Sequence, residues 1–260
     1  MKKELSLMLV SMKLRKAYLF DFIIDIAIFP VYAFITYFLW STLIANGFQI
    51  NLLDIFTYYC LMFIVGEVFF SADPSGVISQ DVIRGTIAYR LVRPISYVSY
   101  LFWRRAGRTV LKTLVNLLFL ILIIFLLGLK ITWELTTITA FMFSLIIGFV
   151  LMFFVYFMIG LSALWIEENW GLKWAFRTFE RFLAGTWIPL YLLPASVQGV
   201  IGFLPFKYTG YFQVMLLQGK IPLQSLSYEF LLMAVWIIVL LSLSKIAWKI
   251  GRKRIEGHGV

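Results

Sequence analysis

The sequence predicts an all-α integral membrane protein, on three observations. Of its 260 residues, 62% are hydrophobic and only 14% are charged, and the mean hydropathy is +0.92. Soluble domains are about half apolar and about a quarter charged. The apolar residues also form six runs, each near or above the roughly 20 residues that a helix needs to cross a bilayer. Finally, the basic residues alternate with these runs so that nearly all of them fall on one side of the membrane.

The six apolar runs are the predicted membrane-spanning helices, and residues 1–260 are expected to form a single transmembrane domain. The runs cover residues 22–44, 52–71, 110–129, 136–165, 182–203 and 227–248. The fourth run is long enough to tilt, or to continue beyond the bilayer as a helix. The class of fold is therefore six transmembrane helices with short connections.

Both ends of the chain are predicted to be cytoplasmic. With the N-terminus inside, every Lys and Arg except Lys130, Lys207 and Lys220 falls on the cytoplasmic side. This asymmetry follows the positive-inside rule and also favours an even number of crossings. The net charge of +10 lies beside the spans and forms no separate basic module, so the predicted partner is the lipid bilayer and not nucleic acid.

An amphipathic interfacial helix is predicted at the N-terminus, within residues 1–20. Leu5, Met8, Leu9 and Met12 recur at helical spacing, whereas basic and polar residues occupy the other face. A disordered basic tail is the alternative. The pattern favours a helix lying in the cytoplasmic membrane interface.

A broken or re-entrant segment is predicted before the last span, as an external cap over residues 198–225. Pro189, Pro194, Pro205 and Pro222 are interspersed with glycines, and proline cannot donate to a helical hydrogen bond. Irregular backbone at membrane depth must be buried in protein or line a wet cavity. An ordinary mobile loop is the alternative, which the aromatic residues of this stretch disfavour.

The longest cytoplasmic connection, residues 73–109, carries the clearest helical signals outside the membrane. Asp73 is a good N-cap and is followed by Pro74, which suits a first helical position. Ile83, Ile87 and Leu91 fall on one helical face. Within the same helix, Asp81 and Arg84 are spaced for a local ion pair, and Pro94 ends the helix near Arg93. A solvated interfacial helix without a partner has the same periodicity.

The same connection resembles a known family. The residues Asp81-Val82-Ile83-Arg84-Gly85-Thr86-Ile87, then Leu91 and Arg93-Pro94-Ile95-Ser96, are similar to the loop after the second span of type 2 ABC transporter permeases. The small six-span permeases that pair with a separate ATPase chain are the most similar subgroup. Gln80 and Asp81 stand where that family often has two glutamates.

The resemblance implies a coupling helix that sits in a groove of an ATPase subunit and carries its movement to the spans. The implied coupling residues are Asp81, Arg84, Gly85, Thr86, Ile87, Leu91, Arg93 and Pro94. It also implies a second permease, identical or similar, transport outward, and a prokaryotic plasma membrane. ATP and Mg would be bound by the partner ATPase and no cofactor by this chain.

The residues themselves offer no catalytic machinery. The chain has no G-x-x-x-x-G-K-[ST] phosphate loop, no H-E-x-x-H and no G-x-S-x-G. Cys60 is the single cysteine, and the single histidine, His258, lies close to the C-terminus. The chain is therefore predicted not to be an enzyme, and the energy for transport must come from elsewhere.

Few ionisable residues lie within the predicted spans. Asp25 and Glu67 lie near span ends and are expected to reach the interface. Glu167 and Glu168, between the fourth and fifth spans, are expected to be solvated or to pair with Lys173 and Arg177, and a second ATPase contact is the sharper alternative.

Two other functions share this hydropathy. A substrate-binding membrane subunit or secondary carrier would not need a coupling helix on its cytoplasmic connection. A non-catalytic membrane scaffold would have no evident use for a proline-rich cap.

Overall fold

The computed structural model describes residues 2–12, 15–92, 94–166 and 169–256, with the backbone alone for residues 2–5, 12, 15–23, 25, 26 and 256. In these ranges all regular secondary structure is helical. The α-helices are α1 Lys2–Met12, α2 Arg15–Ala45, α3 Leu52–Phe70, α4 Ser75–Ile83, α5 Thr86–Leu91, α6 Tyr97–Leu127, α7 Leu135–Leu161, α8 Trp170–Leu183, α9 Ala195–Phe203, α10 Tyr211–Leu217 and α11 Leu226–Glu256.

Five helical segments are long and apolar enough to cross a membrane within the described residues. They are Ala27–Ala45, Leu52–Ile83, Tyr97–Leu127, Leu135–Leu164 and Leu223–Ile255. The first segment is the C-terminal part of α2, and the others are formed mainly by α3 with α4, by α6, by α7 and by α11. The five segments correspond to five of the six predicted spans. The prediction of an all-α integral membrane protein is confirmed.

The fifth predicted span, residues 182–203, is wrong as a single helix. Helix α8 ends at Leu183, Gly185 adopts a left-handed φ of 75°, and a short 3-10 turn precedes α9. Pro189 and Pro194 lack the N–H that a continuous helix would require, so the helical hydrogen bonding cannot pass through them. The stretch before the last span is therefore broken, as the proline pattern predicted.

The broken stretch between Arg177 and Gln218 nevertheless extends along the whole length of α3. Arg177, in α8, forms an ion pair of 2.7 Å with Asp73, which follows the C-terminal end of α3. Gln218, which follows α10, donates a hydrogen bond of 2.9 Å to the carbonyl oxygen of Asp54, in the first turn of α3. A helix of 19 residues is about 28 Å long, so the chain advances through the bundle by about that distance between Arg177 and Gln218.

Helices α3 and α7 form the centre of the bundle. Their fully buried side chains include Tyr58, Phe69, Phe153 and Phe157. Gly148 of α7 permits the closest approach, because an added Cβ would lie 2.6 Å from the Phe69 ring and 2.7 Å from the Tyr208 carbonyl oxygen. Helix α7 therefore packs against both α3 and the broken stretch.

One end of the bundle, which we call the α4–α5 end, is also where α1 and the last turns of α11 lie. Helix α1 packs on α6, where a Cβ at Gly107 would lie 2.5 Å from the Met8 carbonyl oxygen. The last turns of α11 reach the same end, since the ring of Trp248 stacks on that of Tyr97 at 5.3 Å. The cytoplasmic location of this end, the interfacial helix over residues 1–20 and the external cap over residues 198–225 stay predictions.

Candidate functional site

The predicted coupling segment is built from two short helices rather than one. Helix α4 ends at Ile83, and Gly85 takes a left-handed φ of 66° before α5 begins at Thr86. Nothing lies within 4 Å of a Cβ added at Gly85, so the glycine serves the backbone conformation and not close packing. The single amphipathic helix predicted through this glycine is therefore wrong, because a left-handed residue interrupts the helical hydrogen bonds.

The start of the segment agrees with the Asp-Pro signal, displaced by one residue. Helix α4 begins at Ser75, after Pro74, and the Asp73 carboxylate accepts a hydrogen bond of 2.7 Å from the Ser75 amide. The Asp73 side chain thus satisfies one of the amides that a helix N-terminus leaves without an intrahelical partner.

The break at Gly85 also separates residues that were predicted to share a face. Ile83 is 63% exposed, whereas Ile87 is 4% exposed and joins the hydrophobic core. Leu91 is partly buried against the same core. The prediction that Ile83, Ile87 and Leu91 share one face is therefore wrong, because the turn at Gly85 changes the direction of the chain between Ile83 and Ile87.

Asp81 is buried and is the centre of a polar cluster. Its Oδ2 accepts a hydrogen bond of 2.9 Å from the Tyr97 hydroxyl and lies 2.9 Å from Nε of Arg90. The Thr86 hydroxyl donates to Oδ1 at 3.1 Å. The ion pair predicted with Arg84 is thus made with Arg90 instead. Asp81 joins α4, α5 and α6 into one unit, because its three partners lie in or at the start of α5 and α6.

Arg90 is fixed by the same cluster. Its guanidinium lies over the ring of Tyr100, 4.8 Å from the ring centroid. Burial lowers the pKa of Arg90, but the nearby Tyr100 and Asp81 outweigh it, so that the pKa is raised above its ordinary value. Arg90 therefore stays cationic beside the buried carboxylate. The sequence pattern does not predict this role, because Arg90 and Asp81 are nine positions apart and the Gly85 break separates their helices.

The exposed side of the segment, which we call the turn surface, comprises residues on both sides of Gly85. Its members are Ile83, Arg84, Gly85, Thr86, Tyr89 and Val92. Val92 is 85% exposed and Tyr89 is 67% exposed. Apolar side chains clustered at a protein surface, with a cation among them, are typical of an interaction site.

The predicted site residues are therefore divided between two places. Asp81 and Ile87 are buried within the segment, and Leu91 is partly buried. Arg84, Gly85, Thr86 and Pro94 are exposed. Arg93, Glu167 and Glu168 lie outside the described residues.

Helix α4 is also tied to α8, far along the chain. The Ser79 hydroxyl donates to Oδ1 of Asn169 at 2.8 Å, and Nζ of Lys173 donates to the Ser79 hydroxyl at 3.3 Å. The Arg177 guanidinium, which pairs with Asp73, lies over the ring of Phe70 at 4.2 Å. These contacts are not predictable from the sequence pattern, because they join residues about 90 to 104 positions apart.

Helix α4 rests directly on α7. A Cβ at Gly160 would lie 2.7 Å from Cδ1 of Ile78 and 2.9 Å from Cα of Ser75. A displacement of α4 therefore cannot occur without a response from α7, because close-packed elements transmit strain.

Glu67, which was predicted to lie near the end of a span, has an ion-pair partner. Glu67 of α3 forms an ion pair with Lys112 of α6. The side chain of Asp25 lies outside the described ones. In the described part of the chain, no three His, Cys, Asp or Glu side chains are grouped closely enough to hold a metal ion.

The chain matches a protein-family model over most of its length. The model of the ABC-2 family transporter protein matches residues 30–259. No curated protein matches the sequence. The matched range includes the whole of the α4–α5 segment and four of the five candidate spans entirely. The chain belongs to the ABC-2 transporter family and is a multi-pass membrane permease that is not itself catalytic.

Proposed function

We propose that this chain is the membrane-spanning subunit of an ATP-driven exporter in a prokaryotic plasma membrane. Two permeases, identical or similar, enclose the path, and separate ATPase subunits that bind ATP and Mg drive them. The family supports the membrane subunit. The direction, the partners and the energy source are our inference.

The observation that carries this proposal is the turn surface. Ile83 at the end of α4, Tyr89 in α5 and Val92 just after α5 are all exposed. Their apolar area and the charge of Arg84 suit a partner groove lined by apolar and acidic groups. We assign this groove to the ATPase subunit.

The contacts of α4 supply a route from that surface into the bundle. Closure of the ATPase pair around nucleotide moves α4 and α5 together, because Asp81 of α4 is bonded to Arg90 of α5. The hydrogen bond from Tyr97 to Asp81 connects the same movement to α6. Ser79 and Asp73 pass the movement to α8, and Ile78 passes it to α7. ATP thus shifts an equilibrium between two arrangements of the spans.

We also propose that Glu167 and Glu168 make the second contact with the ATPase. They immediately precede Asn169, which is hydrogen-bonded to Ser79 of α4. An ATPase contact at Glu167 and Glu168 would therefore move together with the contact at the turn surface.

Co-purification tests the proposal. The full chain is purified gently from its native membrane, and the accompanying chains are identified by mass spectrometry. Ile83→Asp combined with Val92→Asp places negative charge on the turn surface, and Arg84→Glu reverses the charge of its cation. A P-loop ATPase is expected with the unaltered chain and is expected to be lost with either variant.

The matched control is Trp133→Asp, at the opposite end of the bundle, where Trp133 is 62% exposed. This variant is expected to retain the ATPase. Absence of an ATPase from every sample would instead favour a secondary carrier or a scaffold.

A further inference from the structure

Helix α8 carries its charges on the side that faces the other helices. The ionisable residues on this side recur at helical spacing and are Lys173, Arg177, Glu180 and Arg181. Arg177 pairs with Asp73, and Glu180 is buried. On the opposite side, Leu172 and Phe179 are 45% and 57% exposed. Charged side chains at membrane depth face protein partners or water, so this orientation indicates a polar space inside the bundle.

Two cavities lie along the charged side of α8. The first, which we call the inner cavity, has a volume of about 250 Å³ and lies between α2, α3, α7, α8 and the turn at residues 205–209. Met62 and Gly66 of α3 line it. Met62 lies about 12 Å along the helix from Phe70, which is the last residue of α3. The inner cavity therefore reaches the middle of α3.

The second cavity, which we call the end cavity, has a volume of about 450 Å³ and lies at the α4–α5 end. Its lining includes Asp73 and Gly76 near the start of α4, and Arg105, Arg108 and Lys112 on α6. All five residues are only partly buried. Their charged groups therefore keep surface that water in this space can reach.

The inner cavity and the end cavity adjoin each other. Glu67, Phe70 and Arg177 line both of them. The side chains of Glu67 and Arg177 are 27% and 21% exposed, and the Arg177 guanidinium lies over the Phe70 ring. A polar lining thus continues from the α4–α5 end to the level of Met62.

Tight packing closes the inner cavity at its other end. The Tyr58 hydroxyl donates a hydrogen bond of 2.7 Å to the carbonyl oxygen of Gly185, and the Tyr59 hydroxyl donates one of 2.8 Å to that of Trp187. The two tyrosines are 0% and 5% exposed. They attach α3 to the broken stretch one turn beyond Met62, so a hydrophilic solute cannot pass this level.

The chemistry of the lining fits water. Each carboxylate has a cation beside it: Glu67 has Lys112, Asp73 has Arg177, and Glu180 has Arg181. Pairing offsets the loss of hydration of two charges only when the remaining hydrogen bonds are also made. Both cavities are several times larger than the roughly 30 Å³ of a water molecule, and their partly exposed ionisable groups supply the polar partners that buried water needs.

We propose that the two cavities form one water-filled vestibule, which small hydrophilic solutes enter from the α4–α5 end and which ends at Tyr58 and Tyr59. As the entrance of the path for a hydrophilic substrate, the vestibule rests on the proposed function. As a water-filled space, it does not.

Arg177 connects the vestibule to the coupling segment. Its guanidinium is bonded to Asp73, just before α4, and its side chain forms part of the boundary between the two cavities together with Glu67 and Phe70. A movement of α4 that displaces Asp73 therefore changes the width of this boundary. Nucleotide-driven movement would in this way control access to the inner cavity.

Cysteine labelling tests the proposal in the full chain, after Cys60→Ala removes its single native thiol. The reporters are Gly66→Cys and Thr186→Cys, because both residues line the inner cavity. No atom lies within 4 Å of a Cβ added at Gly66, and cysteine is close to threonine in size. The reagents are membrane-impermeant methanethiosulfonates, one cationic with a trimethylammonium group and one anionic with a sulfonate group.

Leu114→Cys is the matched control. Leu114 is 54% exposed, and its turn of α6 contacts Glu67 and Ile64, so it lies at the level of Gly66 but on the outside of the bundle. The thiolate is the reacting form, and it is disfavoured in apolar surroundings. In nanodiscs, we expect both reporters to react with at least one of the reagents at least about tenfold faster than Leu114→Cys.

The side of entry is measured in intact cells and in inverted membrane vesicles. Gly76→Cys marks the α4–α5 end, and Trp133→Cys marks the opposite end. The reporters are expected to react in the preparation that labels Gly76→Cys and to stay unlabelled in the one that labels Trp133→Cys. Reaction at either reporter alone supports the vestibule, so the test survives the misfolding of one variant.

Three results would overturn the proposal: no reaction at either reporter while Gly76→Cys reacts, entry from the side that labels Trp133→Cys, or equal rates at the reporters and at Leu114→Cys. Each could occur while the ATPase still co-purifies, in which case the vestibule fails and the proposed function stands. Labelled reporters in a chain that no ATPase accompanies would mean the reverse.

Discussion

The hydroxyl of Tyr97 donates a hydrogen bond of 2.9 Å to the buried carboxylate of Asp81, and it thereby joins the helix before Gly85 to the first turn of α6. Asp81 also pairs with Arg90, so the carboxylate has partners on both sides of the break. The turn surface is therefore held on a rigid base rather than on a free loop.

Replacing Asp81 with Ala should loosen this base. The hydroxyl of Tyr97, which is 3% exposed, would lose its acceptor, and a buried polar group without a partner costs about 1 to 3 kcal/mol. We expect a lower unfolding temperature and faster hydrogen exchange in residues 84–92. Gln80→Ala, at the exposed neighbouring position, should change neither. Unaltered exchange in the Asp81 variant would show that the cluster does not hold the segment.

Gly85→Ala should destabilise the protein through the backbone alone. The left-handed conformation costs a residue with a Cβ about 1 to 2 kcal/mol, and no atom lies within 4 Å of that Cβ. Gly76→Ala is the matched control, because Gly76 lies in helix α4, has equal space and has no positive φ. It should stabilise the protein by about 0.5 to 1 kcal/mol. Thermal unfolding of both variants measures the difference, and equal shifts would contradict the assigned conformation.

Breaking the ion pair between Lys207 and Glu229 should cost far more than breaking a surface pair. Their side chains are 11% and 18% exposed, and the pair joins the broken stretch to α11. Removing one partner of a fully buried pair costs about 3 to 5 kcal/mol, and this value is an upper limit here because Glu229 is half-buried and keeps the hydrogen bond from the Tyr208 hydroxyl. We expect a large fall in unfolding temperature for Lys207→Met.

The control for this pair is Lys220→Met, since Lys220 and Asp54 are 33% and 49% exposed and such pairs are worth at most about 1 kcal/mol. Adding Glu229→Gln to Lys207→Met should recover part of the loss. A similar fall for both lysine variants would show that burial does not set the strength of these pairs.

The stacking of Tyr97 on Trp248 should appear as an interaction energy between α6 and α11. The rings lie 5.3 Å apart with planes inclined by 18°. Aromatic pairs contribute about 0.5 to 1.5 kcal/mol beyond their burial. A double-mutant cycle of Tyr97→Ala and Trp248→Ala should return a value in that range, whereas Trp133→Ala combined with Trp248→Ala should be additive within about 0.5 kcal/mol. If the effects of Tyr97→Ala and Trp248→Ala on the free energy of unfolding were additive, the stacking of these rings would not contribute to the packing of α6 on α11.

The preference of the apolar runs for the bilayer over water is sufficient to determine the fold class. A chain that is 62% hydrophobic with apolar runs of bilayer length must bury its backbone polar groups in helices, and five of the six predicted spans are present as helices. Local chemistry also determined the helix start after Asp73 and the break at Pro189 and Pro194, because capping and the missing proline N–H act within a few residues.

The tertiary structure decided how the site is assembled. A glycine within a helical pattern can either continue the helix or adopt a left-handed conformation that ends it, and the sequence does not distinguish the two. The left-handed Gly85 and the resulting separation of Ile83 from Ile87 were therefore not predictable. The choice of Arg90 over Arg84 as the partner of Asp81 follows from that turn. The pairing of Arg177 with Asp73 joins residues far apart in the chain. Periodicity describes one helix at a time, and only the packing of helices against one another brings such residues together.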